Sequence, residues 1–287
     1  MSAAASEGAR RELAGRAAAR LGEALDLALG DTFRATAKRP RDGAGWFDVS
    51  GHDLAAPCPA RWSVAGDDFV LSTRTVAGAL GRLALRERHP DEPPGAAVDR
   101  VAGDLFAAEA DAFYIDWFEG LDRAGRAAVR AAATTWAVGA LAAVGGRELR
   151  WQTTRRTCNV ADRAVRLRGG CDALDRVARP EVLVVITGRA LGADAVRVRA
   201  GFEALVDGMP RRQTVDRVRM GSAASAVTRA FPVTEELLDA AIGRVAELAA
   251  YRAVPDSAPA VPGRWCDDCP QLEVCPEGSA LMAAGGA

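Results

Sequence analysis

The chain has 287 residues, which is long enough for one sizeable hydrophobic core or two smaller ones. Apolar residues make up 49% of the sequence and charged residues 26%, proportions that are typical of a soluble globular protein. The formal net charge of −1 excludes attraction to nucleic acid through a strongly positive overall field. Any nucleic acid would therefore have to bind to a local patch.

The sequence shows no pattern of a targeting signal or a membrane anchor. Residues 1–16 lack the apolar run of a signal peptide, and nowhere do about 18 uninterrupted apolar residues predict a transmembrane helix. Six cysteines in such a chain indicate reduced thiols or metal ligands rather than a disulfide framework. We therefore expect a cytoplasmic protein that does not contact a membrane.

The first half of the chain is predicted to be mainly helical. Apolar residues at helical spacing predict an amphipathic helix over 7–29, and its apolar stripe consists of Leu13, Ala17, Leu21, Leu25 and Leu29. Glycine and proline then interrupt the pattern over 39–66. Further helices are predicted over 75–88, 98–117 and 121–143.

The apolar pattern then changes to the shorter period of β-strands. Strands are predicted over 147–154, 164–169, 171–177 and 181–187. The last of these is the most apolar and is the best candidate for a central strand. It is followed by a predicted helix over 193–206, a strand over 215–220, and a helix from the N-cap Thr234 to about residue 251.

These elements predict an α/β (α+β) fold with a mixed central sheet flanked by helices. We expect an N-terminal helix and linker over 1–45 and one domain over 46–278. The predicted parts of that domain are a helical insertion over about 75–143, a sheet core over about 147–251 and a cysteine cluster over 264–278. The last residues, 279–287, are rich in alanine and glycine and are predicted to form a disordered tail.

Three cysteines near the C-terminus form a C-x2-C-x5-C array on a proline-flanked loop, namely Cys266, Cys269 and Cys275. Thiolates two residues apart can reach one metal, and a tetrahedral site or a cubane needs four ligands. Cys58 is the best candidate for the fourth, because it also lies between prolines. Cys158 and Cys171 lie in or beside predicted strands, where a small buried side chain is expected. Iron–sulfur, zinc and unliganded cysteines all remain open at this point.

The order of motifs along the chain resembles a known nuclease family. A Cys-Pro-x-x-aromatic motif (58–62) comes early, a Gly-x-x-Asp motif (169–172) and an apolar strand ending in Thr-Gly follow, and Pro-Gly-x-x-Cys-x-x-Cys-Pro-x(4)-Cys-Pro (262–276) comes last. This order, over roughly 46–278, resembles the RecB-like branch of the PD-(D/E)XK nuclease superfamily. It is most similar to the iron–sulfur members, which include CRISPR-associated RecB-like exonucleases and the C-terminal nuclease domain of the AddB helicase subunit.

The resemblance implies a restriction-endonuclease-like core that is stapled by a [4Fe–4S] cluster on four cysteines. The matching positions are Cys58, Cys266, Cys269 and Cys275; zinc is the alternative occupant. The family hydrolyses phosphodiesters with Mg²⁺ or Mn²⁺ held by carboxylates, and a lysine assists the nucleophile.

Most residues that this chemistry needs are replaced in the present sequence. The Gly-x-x-Asp motif matches Gly169 to Asp172, with Asp175 as a second candidate, so that one carboxylate remains. Val184 stands in place of the second metal ligand, and Ile186 stands in place of the lysine.

Two helical positions of the family's active site are also changed. Arg82 stands where the resemblance places a histidine ligand, and the supporting glutamine falls at Val198 or Arg199. The only lysine of the chain, Lys38, lies far from this region in the sequence. Because Mg²⁺ needs several oxygen ligands, a lone Asp172 cannot hold it tightly. We therefore expect a degenerate active site without nuclease activity.

Three functions follow from these expectations. The first is a catalytically inactive accessory module that binds DNA or docks to a helicase or nuclease partner. The second is an active Mg²⁺- or Mn²⁺-dependent DNA exonuclease with ligands relocated to Asp172, Asp175 and Glu181. The third is an iron–sulfur protein that binds DNA and senses redox state.

A local excess of arginine indicates where nucleic acid could bind. The candidate contacts lie on the strand pair that precedes the remaining carboxylate, and they are Arg147, Arg150, Trp151, Arg155, Arg156, Arg166 and Arg168. Arginines bind phosphates, and a tryptophan can stack on a base. The alternative is a solvated hairpin face with Trp151 in the core.

Overall fold

The computed structural model of the chain describes residues 3–37, 47–55, 58–63, 71–103, 112–145, 149–161, 164–175, 181–188, 192–254, 257–263, 266, 269 and 271–285. Statements below refer to these residues.

The helices are numbered here in chain order. They are α1 (Ala3–Ala37), α2 (Gly51–Ala55), α3 (Ala60–Ser63), α4 (Thr73–Glu87), α5 (Pro94–Val101), α6 (Ala112–Glu119), α7 (Arg123–Val144), α8 (Ala193–Arg211), α9 (Glu235–Ala253) and α10 (Pro276–Ala283). A 3-10 turn, Leu272–Val274, precedes α10. Side chains of Ser72, Asp122 and Thr234 accept backbone N–H groups at the starts of α4, α7 and α9, so the sequence itself defines where these helices begin.

Six strands form one mixed sheet. They are β1 (Phe47–Ser50), β2 (Trp151–Val160), β3 (Val165–Asp175), β4 (Val182–Thr187), β5 (Arg217–Ser222) and β6 (Thr228–Pro232). The long strand β3 pairs with antiparallel β2 on one edge and with both parallel β1 and antiparallel β4 on the other. Strands β4 and β5 are parallel and are joined through α8, and β6 closes the sheet as an antiparallel edge.

Helices cover both faces of the sheet. On one face α1, α8 and α9 bury the main core, which includes Leu21, Leu25, Phe202, Leu205 and Leu238. On the other face α7 buries Trp136 and Ala140 against β4. Helices α4, α5, α6 and α7 enclose a separate small core. The predicted α/β (α+β) class with a mixed sheet flanked by helices is therefore confirmed.

By length and composition alone, helix α7 could span a membrane. Of its most apolar stretch of 18 residues, 39% is buried. It begins at the Asp122 cap and ends at Gly145, which has a φ of 68°. Its buried face packs against the sheet and α4, so the helix forms part of a soluble globular domain.

The predicted strands 164–169 and 171–177 form the single strand β3. Gly169 and Gly170 do not interrupt the strand, and Gly169 lets α8 approach closely. A Cβ at Gly169 would lie 2.8 Å from Glu203 Oε2 and 2.9 Å from Val206 Cβ. Glycine inside a strand therefore marks a close contact rather than a turn.

Several other boundaries differ from the predictions. The sequence pattern did not predict the short strands β1 and β6, because four or five residues are too few for a periodicity to emerge. The two ends of the predicted helix 98–117 belong to α5 and α6, and residues 104–111 lie outside the described part. Helix α10 extends into the predicted disordered tail (279–287), since Cys275 caps it and Pro276 begins it.

Candidate functional site

The carboxylate of the Gly-x-x-Asp motif, Asp172, is fully engaged by the protein itself. Asp172 is buried, and its Oδ1 accepts a hydrogen bond from Arg82 Nε at 2.5 Å. Its Oδ2 accepts the backbone N–H of Ile186 at 2.5 Å. A carboxylate with both oxygens satisfied in this way has little capacity left for a metal ion.

Arg82 is held on several sides. Besides Asp172, its guanidinium donates to the carbonyl oxygens of Ile186 at 3.0 Å and Gly78 at 3.2 Å. Its Cζ lies 4.7 Å from the ring centroid of Trp136, which is a cation–π contact. The positive charge in this site is thus supplied by a fixed side chain from α4, bound across the sheet to β3 and β4.

The positions that correspond to the missing ligand and lysine lie in the apolar core. Val184 and Ile186 are fully buried in the cluster between β4 and α7. Neither position faces solvent, so neither could receive a charged side chain without a large desolvation cost. The structure therefore brings together Arg82, Asp172 and the backbone of Ile186.

The relocated-ligand hypothesis finds no support in this geometry. Glu181 lies at the start of β4, about 13 Å along the strand from the residue beside Asp172. Its carboxylate forms ion pairs with two arginines: Oε2 lies 3.0 Å from Arg211 Nη2 and 3.7 Å from Arg10 Nη1. The side chain of Asp175 lies outside the described part of the structure. Among the residues described, no three His, Cys, Asp or Glu side chains are placed to hold one metal ion.

A buried glutamate that the sequence patterns did not single out lies next to this site. Glu203 of α8 accepts the backbone N–H of Gly170 at 2.8 Å, and its Oε1 is 3.6 Å from Arg199 Nε. Burial, together with the nearby Asp172, raises the pKa of Glu203 to about 7, against the lowering effects of Arg199 and the Gly170 N–H. A glutamate inside the apolar run Phe202–Val206 was the available signal for it.

Three of the four cysteines predicted to hold a cluster each lie close to one backbone amide. Cys58 Sγ lies 3.5 Å from Val261 N and Cys266 Sγ lies 3.4 Å from Gly263 N, so both sulfurs approach one short connector. Cys275 Sγ accepts the Gly278 N–H at 3.4 Å. A Cβ at Gly278 would lie 3.4 Å from the sulfur of Cys275 and 3.5 Å from that of Cys266.

The fourth cysteine, Cys269, is half-buried, and its N–H donates to the Cys266 carbonyl at 3.1 Å. All six cysteines are free thiols. The Cys58 segment is tied to the same connector by the Ala60 N–H, which donates to Pro259 O at 3.2 Å. Cys158, by contrast, is buried in β2, and burial raises the pKa of its thiol.

The predicted nucleic-acid residues differ in their exposure and in their contacts. Arg150 and Arg155 are exposed. Arg156 points to α8, where its Nη2 is 2.9 Å from Asp207 Oδ1. Trp151 is half-buried against the core, as in the alternative interpretation of the arginine segment. Arg147 lies outside the described residues.

Arg166 and Arg168 share one carboxylate on the open face of β1 and β3. Asp48 Oδ2 accepts from Arg166 Nη2 and from Arg168 Nη1, each at 2.7 Å. Burial alone would raise the pKa of Asp48, but its contacts with the two arginines lower it. Two guanidinium groups against one carboxylate leave a net positive charge, and the Arg168 side chain is 54% exposed.

No protein-family model and no curated protein matches the chain. One solved structure, described as the crystal structure of SSO0001, is similar with a TM-score of 0.36 and 13% sequence identity. The match covers 90% of this chain and 95% of the other.

We expect Arg82 and Asp172 to stabilise the fold as a pair. Arg82→Met should lower the free energy of unfolding by about 3 kcal/mol, because it leaves a buried carboxylate without its partner. Asp172→Asn should also destabilise, and the loss in the double variant should be smaller than the sum of the single losses. Urea unfolding of the parent, the two single variants and the double variant measures these free energies. If Mn²⁺ stabilised the parent but not Asp172→Asn, Asp172 would bind the metal ion, and this would contradict the prediction.

Glu203 should make stability depend on pH. Its folded-state pKa, about 7, lies above the ordinary 4.5, so the folded state binds the proton more tightly and stability falls as pH rises between these values. Relative to the parent, Glu203→Gln should therefore gain about 3 kcal/mol on going from pH 4 to pH 8. Urea unfolding at both pH values tests this. Glu273→Gln, at an exposed position, is the matched control and should show no such gain; equal pH responses of parent and Glu203→Gln would contradict the prediction.

Proposed function

We propose that the chain is a RecB-like nuclease-fold protein that has lost phosphodiester hydrolysis and serves as a cytoplasmic accessory module that binds DNA. The observation that carries the proposal is the closed pair of Asp172 and Arg82. In the family that the sequence resembles, this carboxylate holds a catalytic metal ion. Here a guanidinium contacts it.

A guanidinium cannot replace the metal in catalysis. Metal-assisted hydrolysis needs a cation with open coordination positions, so that it can bind water and lower the pKa of that water. Arginine has no acceptor atom for a metal and does not lose its proton in proteins. Arg82 therefore preserves the charge balance around Asp172 without providing a nucleophile.

The cysteines support a structural metal centre within the same proposal. Cys58, Cys266, Cys269 and Cys275 would hold a [4Fe–4S] cluster, with zinc as the alternative occupant. Such a group supplies thiolate coordination that staples distant chain segments. Three of these sulfurs each lie within hydrogen-bond distance of a backbone N–H group.

DNA binding is supported by the open face of β1, β2 and β3. Asn159 pairs with Arg166 and Thr157 pairs with Arg168, so polar side chains share this face of the sheet. The exposed Arg155 extends the same face. Phosphate groups would compete with Asp48 for Arg166 and Arg168, and such contacts position a strand without reading its sequence.

Purification without oxygen tests the metal centre. We expect visible absorption and about four iron atoms per chain, because four thiolates suit a cubane. Cys58→Ser and Cys275→Ser should lose both the iron and the absorption. Cys158→Ser is the matched control and should keep them, since that thiol lies in β2 and donates to Val206 O. A colourless parent with one zinc would contradict the iron–sulfur assignment, and a parent without metal would contradict a metal centre altogether.

One experiment tests the loss of catalysis together with DNA binding. Without oxygen and with Mn²⁺, the parent should bind single-stranded DNA and release no nucleotides. Asp48→Asn should bind more tightly, because it frees two arginines. Arg168→Gln should bind less tightly, with a salt dependence reduced by about one counterion.

Arg229→Gln, an exposed change on the distant edge strand β6, is the matched control and should bind like the parent. Nucleotide release that stops in Asp172→Asn would overturn the inactive assignment. Equal DNA affinity in the parent, Asp48→Asn and Arg168→Gln would overturn the assignment of the binding face.

A further inference from the structure

A cleft in the helical insertion is lined by arginines that the proposed function does not use. It has a volume of about 510 Å³ and lies between α5 and α7. Its charged lining consists of Arg123, Arg126 and Arg130 from α7 and a single acid, Asp99, from α5. This volume is within the range of small-ligand sites, about 300–1,000 Å³.

The three arginines share one side of α7 because they are three and four residues apart. Arg126 Nη1 donates to the Glu119 carbonyl at 3.1 Å, which ties this side chain to the end of α6. Thr134 follows Arg130 by one further turn and adds a hydroxyl to the cleft wall. Four hydrogen-bond donors of one helix thus line the same space.

The described lining of the cleft carries three arginines and one acid. Elsewhere arginines are commonly paired with carboxylates, as Arg10 is with Asp216 and Arg211 with Asp207. Across the described ranges, Arg123, Arg126 and Arg130 have no carboxylate oxygen within ion-pair distance, and this includes Asp99 across the cleft. Arg130 Nε is buried and has no hydrogen-bond partner among the described residues.

We propose that this cleft binds the phosphate groups of a nucleotide polyphosphate or of a nucleic-acid strand. Phosphate oxygens match guanidinium groups in charge and in geometry, and several phosphates are needed to reach three arginines along two turns of helix. The site is separate from the open face of β1, β2 and β3, because it is built from α5 and α7 alone. It can therefore be present even if that face binds nothing.

Titration with inorganic tripolyphosphate, ATP and a single-stranded DNA oligonucleotide tests the proposal on the full-length protein. The double variant Arg126→Gln/Arg130→Gln should weaken binding of the phosphate ligand by about tenfold or more, since two charge-assisted contacts are lost. Arg229→Gln should bind like the parent. Thermal unfolding checks that the double variant remains folded, and Arg123→Gln, at an exposed position, gives a milder second test with a smaller loss.

The two phosphate sources give different results. A loss of tripolyphosphate or ATP affinity identifies a nucleotide site, whereas a loss confined to DNA identifies a strand contact; both support the proposal. Unchanged affinity for all three ligands in folded Arg126→Gln/Arg130→Gln and Arg123→Gln overturns it. Because Arg168→Gln acts only on the open sheet face, failure of that variant and failure of the cleft variants are distinguishable.

Discussion

The buried contact of Asp172 with Arg82 is the interaction on which this part of the structure depends. It joins three elements that are far apart in sequence: α4 supplies the cation, β3 the carboxylate, and β4 the backbone of Ile186. Desolvation makes either charge costly alone, so each is retained because the other is present. The stacking of Arg82 on Trp136 extends the contact to α7. One ion pair therefore couples the helical insertion to the sheet.

The cost of burying an unpaired charge also distinguishes two kinds of arginine elsewhere in the molecule: those that stabilise the fold and those that are available to a ligand. Arg10 is paired with the half-buried Asp216, and Arg156 and Arg211 are paired with the buried Asp207, so these arginines have little freedom to bind a ligand. Arg166 and Arg168 are only partly neutralised, since they share Asp48. The α7 arginines are not neutralised by any described carboxylate. Function is proposed at two places where the described carboxylates do not balance the charge of the arginines.

The sequence predicted the long, periodic elements well and the site only in part. Helix α7, strand β4 and the Thr234 cap follow from local pattern, because periodicity and capping act over a few neighbouring residues. The pairing of Arg82 with Asp172 spans 90 positions and leaves no local trace. The resemblance identified Arg82 as the residue that stands in place of a histidine ligand, but only the three-dimensional arrangement shows what Arg82 contacts. Glu203 was overlooked for the same reason: its partner Gly170 lies 33 positions away.

The closed pair also constrains how this sequence can change over generations. A mutation of Arg82 alone leaves Asp172 buried and unpaired, and a mutation of Asp172 alone leaves Arg82 without its acceptor. Each single step passes through a less stable protein, so the two positions can drift only together. A charged side chain at Val184 or Ile186 would likewise have to enter packed hydrocarbon. Change in this part of the molecule is therefore expected to proceed by paired substitutions rather than by single ones.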